Sequence, residues 1–142
     1  MMDDSEFLSK IALFSPLKKK DQRRIAKLAS HHFFKEGEVV IREGDHDGRV
    51  YVIITGEVGV IKDMGKESEK LLAVFKSENY FGEMAILDDY VRAASVVARQ
   101  DTEVLSLDQW NLREEILKNP SIAIELLQTL SRRLRKAQEH SY

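Results

Sequence analysis

All seven glycines of this 142-residue chain fall between Gly37 and Gly82, and its two prolines, Pro16 and Pro120, lie outside that span. Glycine supplies the backbone conformations that tight turns need, so a centre punctuated in this way reads as short strands joined by short turns. The runs Val39–Ile41, Val50–Thr55, Val58–Lys62, Leu71–Phe75, Ser95–Ala98 and Glu103–Leu107 have strand composition. Glu43-Gly44-Asp45, Asp47-Gly48, Thr55-Gly56-Glu57 and Met64-Gly65-Lys66 provide turns between them. Several short strands with no long helix among them argue for an antiparallel sandwich or jelly roll.

The flanks follow a different period. Phe7, Leu8, Ile11 and Phe14 are spaced for one side of a short helix, which Ser15-Pro16 interrupts. Helical spacing returns over 17–30 through Leu17, Ile25 and Leu28, with Lys18-Lys19-Lys20 and Arg23-Arg24 as a solvated face. Past Leu107, Asp108 is placed to cap a helix to about Leu117 that buries Trp110, Leu112 and Ile116. Asn119-Pro120 breaks it, and a second helix runs over 121–138. There Ala123, Leu127, Leu130, Leu134 and Ala137 alternate by four and three, a coiled-coil-like seam, and Ile122, Ile124 and Leu126 widen the apolar surface. The expected class is α+β, mainly β. One domain spans 1–142, with an N-terminal helix at 17–30, a β roll at 37–107 and C-terminal helices at 108–138.

Composition removes several functions. With no cysteine, disulfides, zinc–thiolate sites and thiol catalysis are excluded together. A formal net charge of -2 gives no global argument for nucleic acid or an anionic membrane. MMDDSEFLSK is acidic without a long apolar run, so neither a signal peptide nor a membrane span is expected there, and the expected location is the cytoplasm. The adjacent His31 and His32 would face opposite sides of a strand, and His46 sits in an acidic turn. Asp45 and Asp47 are too few for a calcium loop. No nucleophile–base–orienter set is visible, so no catalytic residue, no metal ligand and no enzyme are expected.

One stretch does carry chemistry: Phe81–Ala98, FGEMAILDDYVRAASVVA. Gly82 before a short helical turn lets free backbone N–H groups approach an anion, and the Arg92 fork grips the same anion from the other side. Glu83 repels an anion, so it serves a hydroxyl donor beside it. A phosphate with a neighbouring hydroxyl describes a nucleotide. The competing structural reading pairs Glu83 with Arg92 across the loop and leaves the pocket vestigial.

In these features the chain resembles the cyclic nucleotide-binding domains of catabolite activator proteins, regulatory subunits of cAMP-dependent protein kinase and cyclic nucleotide-gated channels. The resemblance runs through FSPLKKKDQRRIAKLA, EGDHDGRVYVIITGEVGV, the FGEMAIL…VRAASVVA cassette and NPSIAIELLQTLSRRLR, and Glu83 and Arg92 stand nine positions apart as the family motif requires. It implies a jelly roll (double-stranded β-helix) with an N-terminal helix, a short phosphate-binding helix and C-terminal lid and dimer helices. By the same resemblance, Glu83 accepts from the ribose 2′-hydroxyl, Gly82 permits close approach, and the amides around Met84 and Ala85 face the cyclic phosphate. Arg92 pairs with that phosphate, helped by the Ala93 amide. Val60, Leu72 and Val74 wall the base, and Arg133 places a cation near the glutamate.

Ala93, where cGMP-selective members often carry a hydroxyl residue, implies that cAMP is preferred, with cGMP possible. Val91 departs from the proline of many members, which loosens the loop without removing a contact group. The C-terminal helix implies a homodimer seam. The sequence ends at Tyr142 without the helix-turn-helix of the activator proteins, so a stand-alone sensor with a protein target is expected rather than DNA binding. The alternative is a degenerate roll serving as an interaction or dimerisation module.

Overall fold

The computed structural model describes residues 3–86 and 91–141, so Leu87 and the Asp88-Asp89 turn of the cassette lie outside the described residues. The chain divides into two compact units, Ala29–Trp110 and the combination of Met1–Leu28 with Asn111–Tyr142.

The first unit holds eight strands: β1 (Ser30–Phe34), β2 (Val39–Ile41), β3 (Arg49–Thr55), β4 (Glu57–Lys62), β5 (Lys70–Lys76), β6 (Tyr80–Phe81), β7 (Ser95–Ala98) and β8 (Thr102–Asp108). They form two four-stranded sheets, β1-β8-β3-β6 and β2-β7-β4-β5, with antiparallel pairing throughout. Apart from the β4–β5 hairpin, strands consecutive in the chain fall in opposite sheets, which makes a jelly roll. The expected mainly-β α+β architecture is therefore the observed one. All six strands read from composition are present. Two escaped that reading: β1 is adjacent to a helical pattern and begins ahead of Gly37, and β6 has only two residues, too few to show a period.

The two-residue period places Tyr51 and Ile53 of β3 on one face. They join Phe81 and Val104 of their own sheet, and Ile41, Val58 and Val96 of the other, in one buried cluster. Tyr51 is the register partner of Phe81, and their rings stack with centroids 5.1 Å apart. Phe75 stacks on the same Phe81 ring at 6.1 Å. Such aromatic pairs contribute about 0.5–1.5 kcal/mol each beyond their area. The short β6 is thus held by its side chains as well as its ladder. Gly56 joins β3 to β4 at φ +100°, where a Cβ would stand 2.6 Å from the Asp101 carbonyl oxygen; only glycine fits this corner.

The second unit contains α1 (Asp4–Leu8), α2 (Lys19–Ala26), most of α3 (Gln109–Lys118) and α4 (Ser121–Ser141). Asp3 caps α1 by accepting from the Glu6 amide at 2.8 Å. Leu8, Ile11, Leu13, Phe14 and Ile25 are fully buried. Gln22 Nε2 donates to the Phe14 carbonyl at 3.0 Å, and Arg24 reaches Asp21 at 3.2 Å and Asn119 at 3.0 Å. Lys18 to Lys20, Arg23 and Arg24 are exposed, the solvated face expected of them.

One expectation about the C-terminal helices is overturned. Trp110 is 64% exposed rather than buried. Asp108 caps this helix as expected, accepting the Trp110 amide at 2.9 Å; the helix begins with Gln109, whose amide donates to the Gly48 carbonyl at 2.8 Å. Gln109 and Leu112 then share the buried face at a spacing of three, and Trp110 is rotated off it. On α4 the buried stripe is Ile122, Leu126 and Thr129, at spacings of four and three, and Leu127 and Leu134 of the coiled-coil-like stripe are 53% and 61% exposed, off that buried face. Among the described residues no helix is long and apolar enough to cross a membrane.

Candidate functional site

The cassette is pinned at both ends. Phe81 is buried in the aromatic stack, and the chain leaves it through Gly82 into a single 3-10 turn, Glu83–Ile86. At the far end β7 buries Val96 and Ala98 and pairs with both β2 and β4. Arg92 is fixed by its backbone: its amide donates to the Asp45 carbonyl at 2.9 Å, and its carbonyl accepts from the Gly44 amide at 2.8 Å.

Folding brings Gly82 and Arg92 together. Gly82 has φ +83°, and a Cβ there would lie 2.7 Å from the Arg49 carbonyl oxygen and 2.8 Å from Arg92 Nη1. The guanidinium therefore lies against bare backbone at the start of the turn. Arg92 Nη2 donates to the Arg49 carbonyl at 2.5 Å and stands 3.6 Å from Asp47 Oδ1. Its Nε is buried and has no hydrogen-bond partner among the described residues. A buried N–H without an acceptor is costly, and an anion brought against the Arg92 fork would satisfy it. This polar geometry fits the phosphate of the sequence reading.

Asp47 is the carboxylate next to this cation, and sequence reasoning placed it in a turn without linking it to Arg92. It accepts from the Tyr51 hydroxyl at 2.8 Å and the Arg49 amide at 3.0 Å. Burial, followed by the hydrogen bond and charge of Asp47, pushes the Tyr51 phenol up to about 12. Tyr51 thus remains a donor to Asp47 while its ring supports Phe81. Nothing local in the sequence signals this pairing, since Asp47 and Arg92 meet only through the roll. Among the described residues no group of three His, Cys, Asp or Glu could hold a metal ion.

The other expected residues are distributed as follows. Glu83 opens the 3-10 turn and is half-buried, Met84 is exposed on it, and the backbone of Ala85 belongs to it. Val60 packs against the inner core cluster. Leu72 is the extra residue of a bulge, since Ala73 pairs with Val60 and Leu71 with Ile61, and it is 51% exposed. Val74 pairs with Gly59, whose missing side chain would point at Leu71 and Arg99. Val74 is therefore on the face of the sheet opposite to Val60. Arg133 is exposed on α4, in the helical unit.

Ala93 is exposed, and its carbonyl accepts from Lys62 Nζ at 2.9 Å. Lys62 also donates to Glu43 Oε2 at 3.2 Å. The Asp63 amide, followed by Lys62, holds the Glu43 carboxyl below the usual carboxylate range.

Comparison with known proteins agrees with this geometry. The sequence matches the cyclic nucleotide-binding domain family over residues 31–119. It is 30% identical over 131 residues to the CRP-like cAMP-activated global transcriptional regulator of Mycobacterium tuberculosis, covering 92% of this chain and 58% of that protein. It is 37% identical over 101 residues to the cAMP-dependent protein kinase regulatory subunit of Aspergillus niger, covering 71% of this chain and 24% of that one. The chain thus spans little more than half of the bacterial regulator and about a quarter of the kinase subunit. The N-terminal domain of a transcriptional regulator from Streptomyces coelicolor A3(2) superposes with a TM-score of 0.84 at 26% identity, covering 96% of this chain and 95% of that one. A jelly roll whose sequence matches the family model across residues 31–119 makes this chain a member of the cyclic nucleotide-binding domain family.

Proposed function

We propose that this chain is a regulatory receiver for a cyclic nucleotide, with cAMP preferred over cGMP, and not an enzyme. The observation that carries this reading is the Arg92 guanidinium against the backbone of Gly82, with a buried Nε lacking an acceptor among the described residues. In the proposed complex Arg92 and the Ala93 amide hold the cyclic phosphate, and the turn from Glu83 through Met84 and Ala85 supplies a hydroxyl acceptor and amides. Val60 and Leu72 supply apolar wall. Val74 has a weaker claim because it shares no face with Val60. The preference for cAMP rests on Ala93, which has no hydroxyl to offer guanine. The names of the mycobacterial and fungal relatives, cAMP-activated and cAMP-dependent, point the same way.

Thermal melting tests the reading directly, because a ligand that binds only the native state raises apparent stability by about 2.7 kcal/mol at a hundred times its Kd. For a domain of this size that is a shift of several degrees. The expected order is cAMP above cGMP above no ligand. Absence of a shift with millimolar amounts of either nucleotide would overturn the binding proposal and leave the interaction-module reading.

We further propose that capture tightens the Glu83 turn and shifts α4 between two positions, with Arg133 as a candidate lid cation. Saturating cAMP should therefore slow amide exchange along 121–138, and an unchanged exchange pattern there counts against the lid mechanism. Exposed Ile124, Leu127 and Leu134 on α4 support a homodimer or an unidentified downstream protein in the cytoplasm as the partner, in preference to nucleic acid or membrane.

A further inference from the structure

The arginine limb of the cassette is braced from behind by residues that no nucleotide contact requires. Lys62 ends β4, and its ammonium bridges the Ala93 carbonyl at 2.9 Å and Glu43 Oε2 at 3.2 Å. Glu43 uses its other oxygen, Oε1, to accept the Asp63 amide at 2.9 Å. That amide belongs to a non-glycine residue at φ +55°, a conformation usually needing local support. The Glu43 amide in turn donates to Ser95 Oγ at 3.0 Å, and its neighbours Gly44 and Asp45 take the Arg92 carbonyl and amide. Three separate parts of the chain, 43–45, 62–63 and 92–95, thus meet in one closed set of hydrogen bonds.

The set has a direction. Arg92 Nη2 is held by the Arg49 carbonyl and stands near Asp47, so the side chain has to adjust for an anion to meet the fork at Nε. A fork delivers two parallel bonds only if its backbone stays in place while the side chain moves. The hydrogen bonds to Asp45 and Gly44 hold Arg92 itself; the Lys62 ammonium holds the next peptide, between Ala93 and Ala94, by its oxygen. Glu43, kept ionised by its two donors, orients the ammonium. Lys62 is about half exposed, so the core does not depend on it.

We infer that Lys62, oriented by Glu43, is a positioning residue for the anion site: it staples the Ala93 peptide so that the Arg92 limb meets the phosphate without backbone rearrangement. The inference rests on the nucleotide-binding reading for its effect on affinity, but the staple itself is a property of the free protein.

The test uses the full chain with Lys62→Met, Lys62→Arg and Glu43→Gln, read in two ways. Amide exchange at 92–95 without ligand reads the staple. It should accelerate at least fivefold in Lys62→Met, which keeps most of the apolar stem but not the cation, and return toward wild type in Lys62→Arg. Calorimetric titration with cAMP reads the consequence: about tenfold weaker binding for Lys62→Met, restored within about threefold by Lys62→Arg, with Glu43→Gln between them. The melting temperature without ligand should change little, which separates positioning from general stability. Wild-type exchange in Lys62→Met overturns the staple whether or not nucleotide binds. Faster exchange with unchanged cAMP affinity overturns its positioning role. Wild-type protein that binds neither cAMP nor cGMP overturns the underlying functional reading instead, and the exchange measurement still decides the staple.

Discussion

Arg92→Ala is expected to weaken cAMP binding at least a hundredfold while the protein remains folded. Charge-assisted hydrogen bonds contribute roughly 1.5–3 kcal/mol each, so losing a fork costs about 3 kcal/mol or more of binding. The fold should survive because the structural partners of Arg92 have other support. Asp47 keeps the Tyr51 hydroxyl and the Arg49 amide, and the backbone bonds from residue 92 to Gly44 and Asp45 do not involve the side chain. Only the Arg49 carbonyl loses a donor, a stability cost of about 1 kcal/mol. Titration calorimetry beside a urea melt separates the two effects. A variant that unfolds, or that binds cAMP as wild type does, contradicts the assignment. In the first case Arg92 is chiefly a structural partner of Asp47.

Gly82→Ala should damage both stability and binding, through geometry alone. At φ +83° a side chain is strained wherever it points, and here it points at the Arg49 carbonyl oxygen, 2.7 Å away. That oxygen is the one holding Arg92 Nη2, so the methyl group would wedge between the guanidinium and its anchor. Backbone strain of this kind costs about 1–3 kcal/mol. A urea melt should show that loss, and cAMP affinity should fall at least tenfold because the turn can no longer approach the phosphate closely. Arg49 cannot relieve the clash by moving, because its own amide is tied to Asp47 and its strand is central, between β8 and β6. Wild-type stability together with wild-type affinity would refute the close-approach argument for Gly82.

Six of the eight strands were legible in the sequence because β-branched composition and glycine turns are local properties, and the Asn119-Pro120 break was legible because proline acts on its immediate neighbour. Where side-chain placement depended on which face of α3 packs, the reading failed. Gln109 rather than Trp110 took the buried place because it stands three residues before Leu112 on the same face, whereas Trp110, two before Leu112, is turned off it. For α4 the sequence left open which stripe would dock. Two apolar stripes were present on one helix, and its own sequence does not say which of them packs.

The cassette itself was identifiable from residue types at a spacing, because Gly82, Glu83 and Arg92 are close in the chain and each has a distinctive chemistry. What holds the arginine was not identifiable in that way. Asp47, Tyr51, Glu43 and Lys62 come from turns and strands up to 49 positions away, and each looked like an ordinary turn, core or surface residue. The sequence alone determined a glycine-turned β roll, its flanking helices and the polar groups for an anion, since these follow from local propensity and residue chemistry. Tertiary structure alone decided that Arg92 lies against bare backbone at Gly82, shares its surroundings with Asp47 and is braced through Lys62. Hydrogen-bond partners distant in sequence are chosen by strand register, and register is settled only when two sheets close on one core.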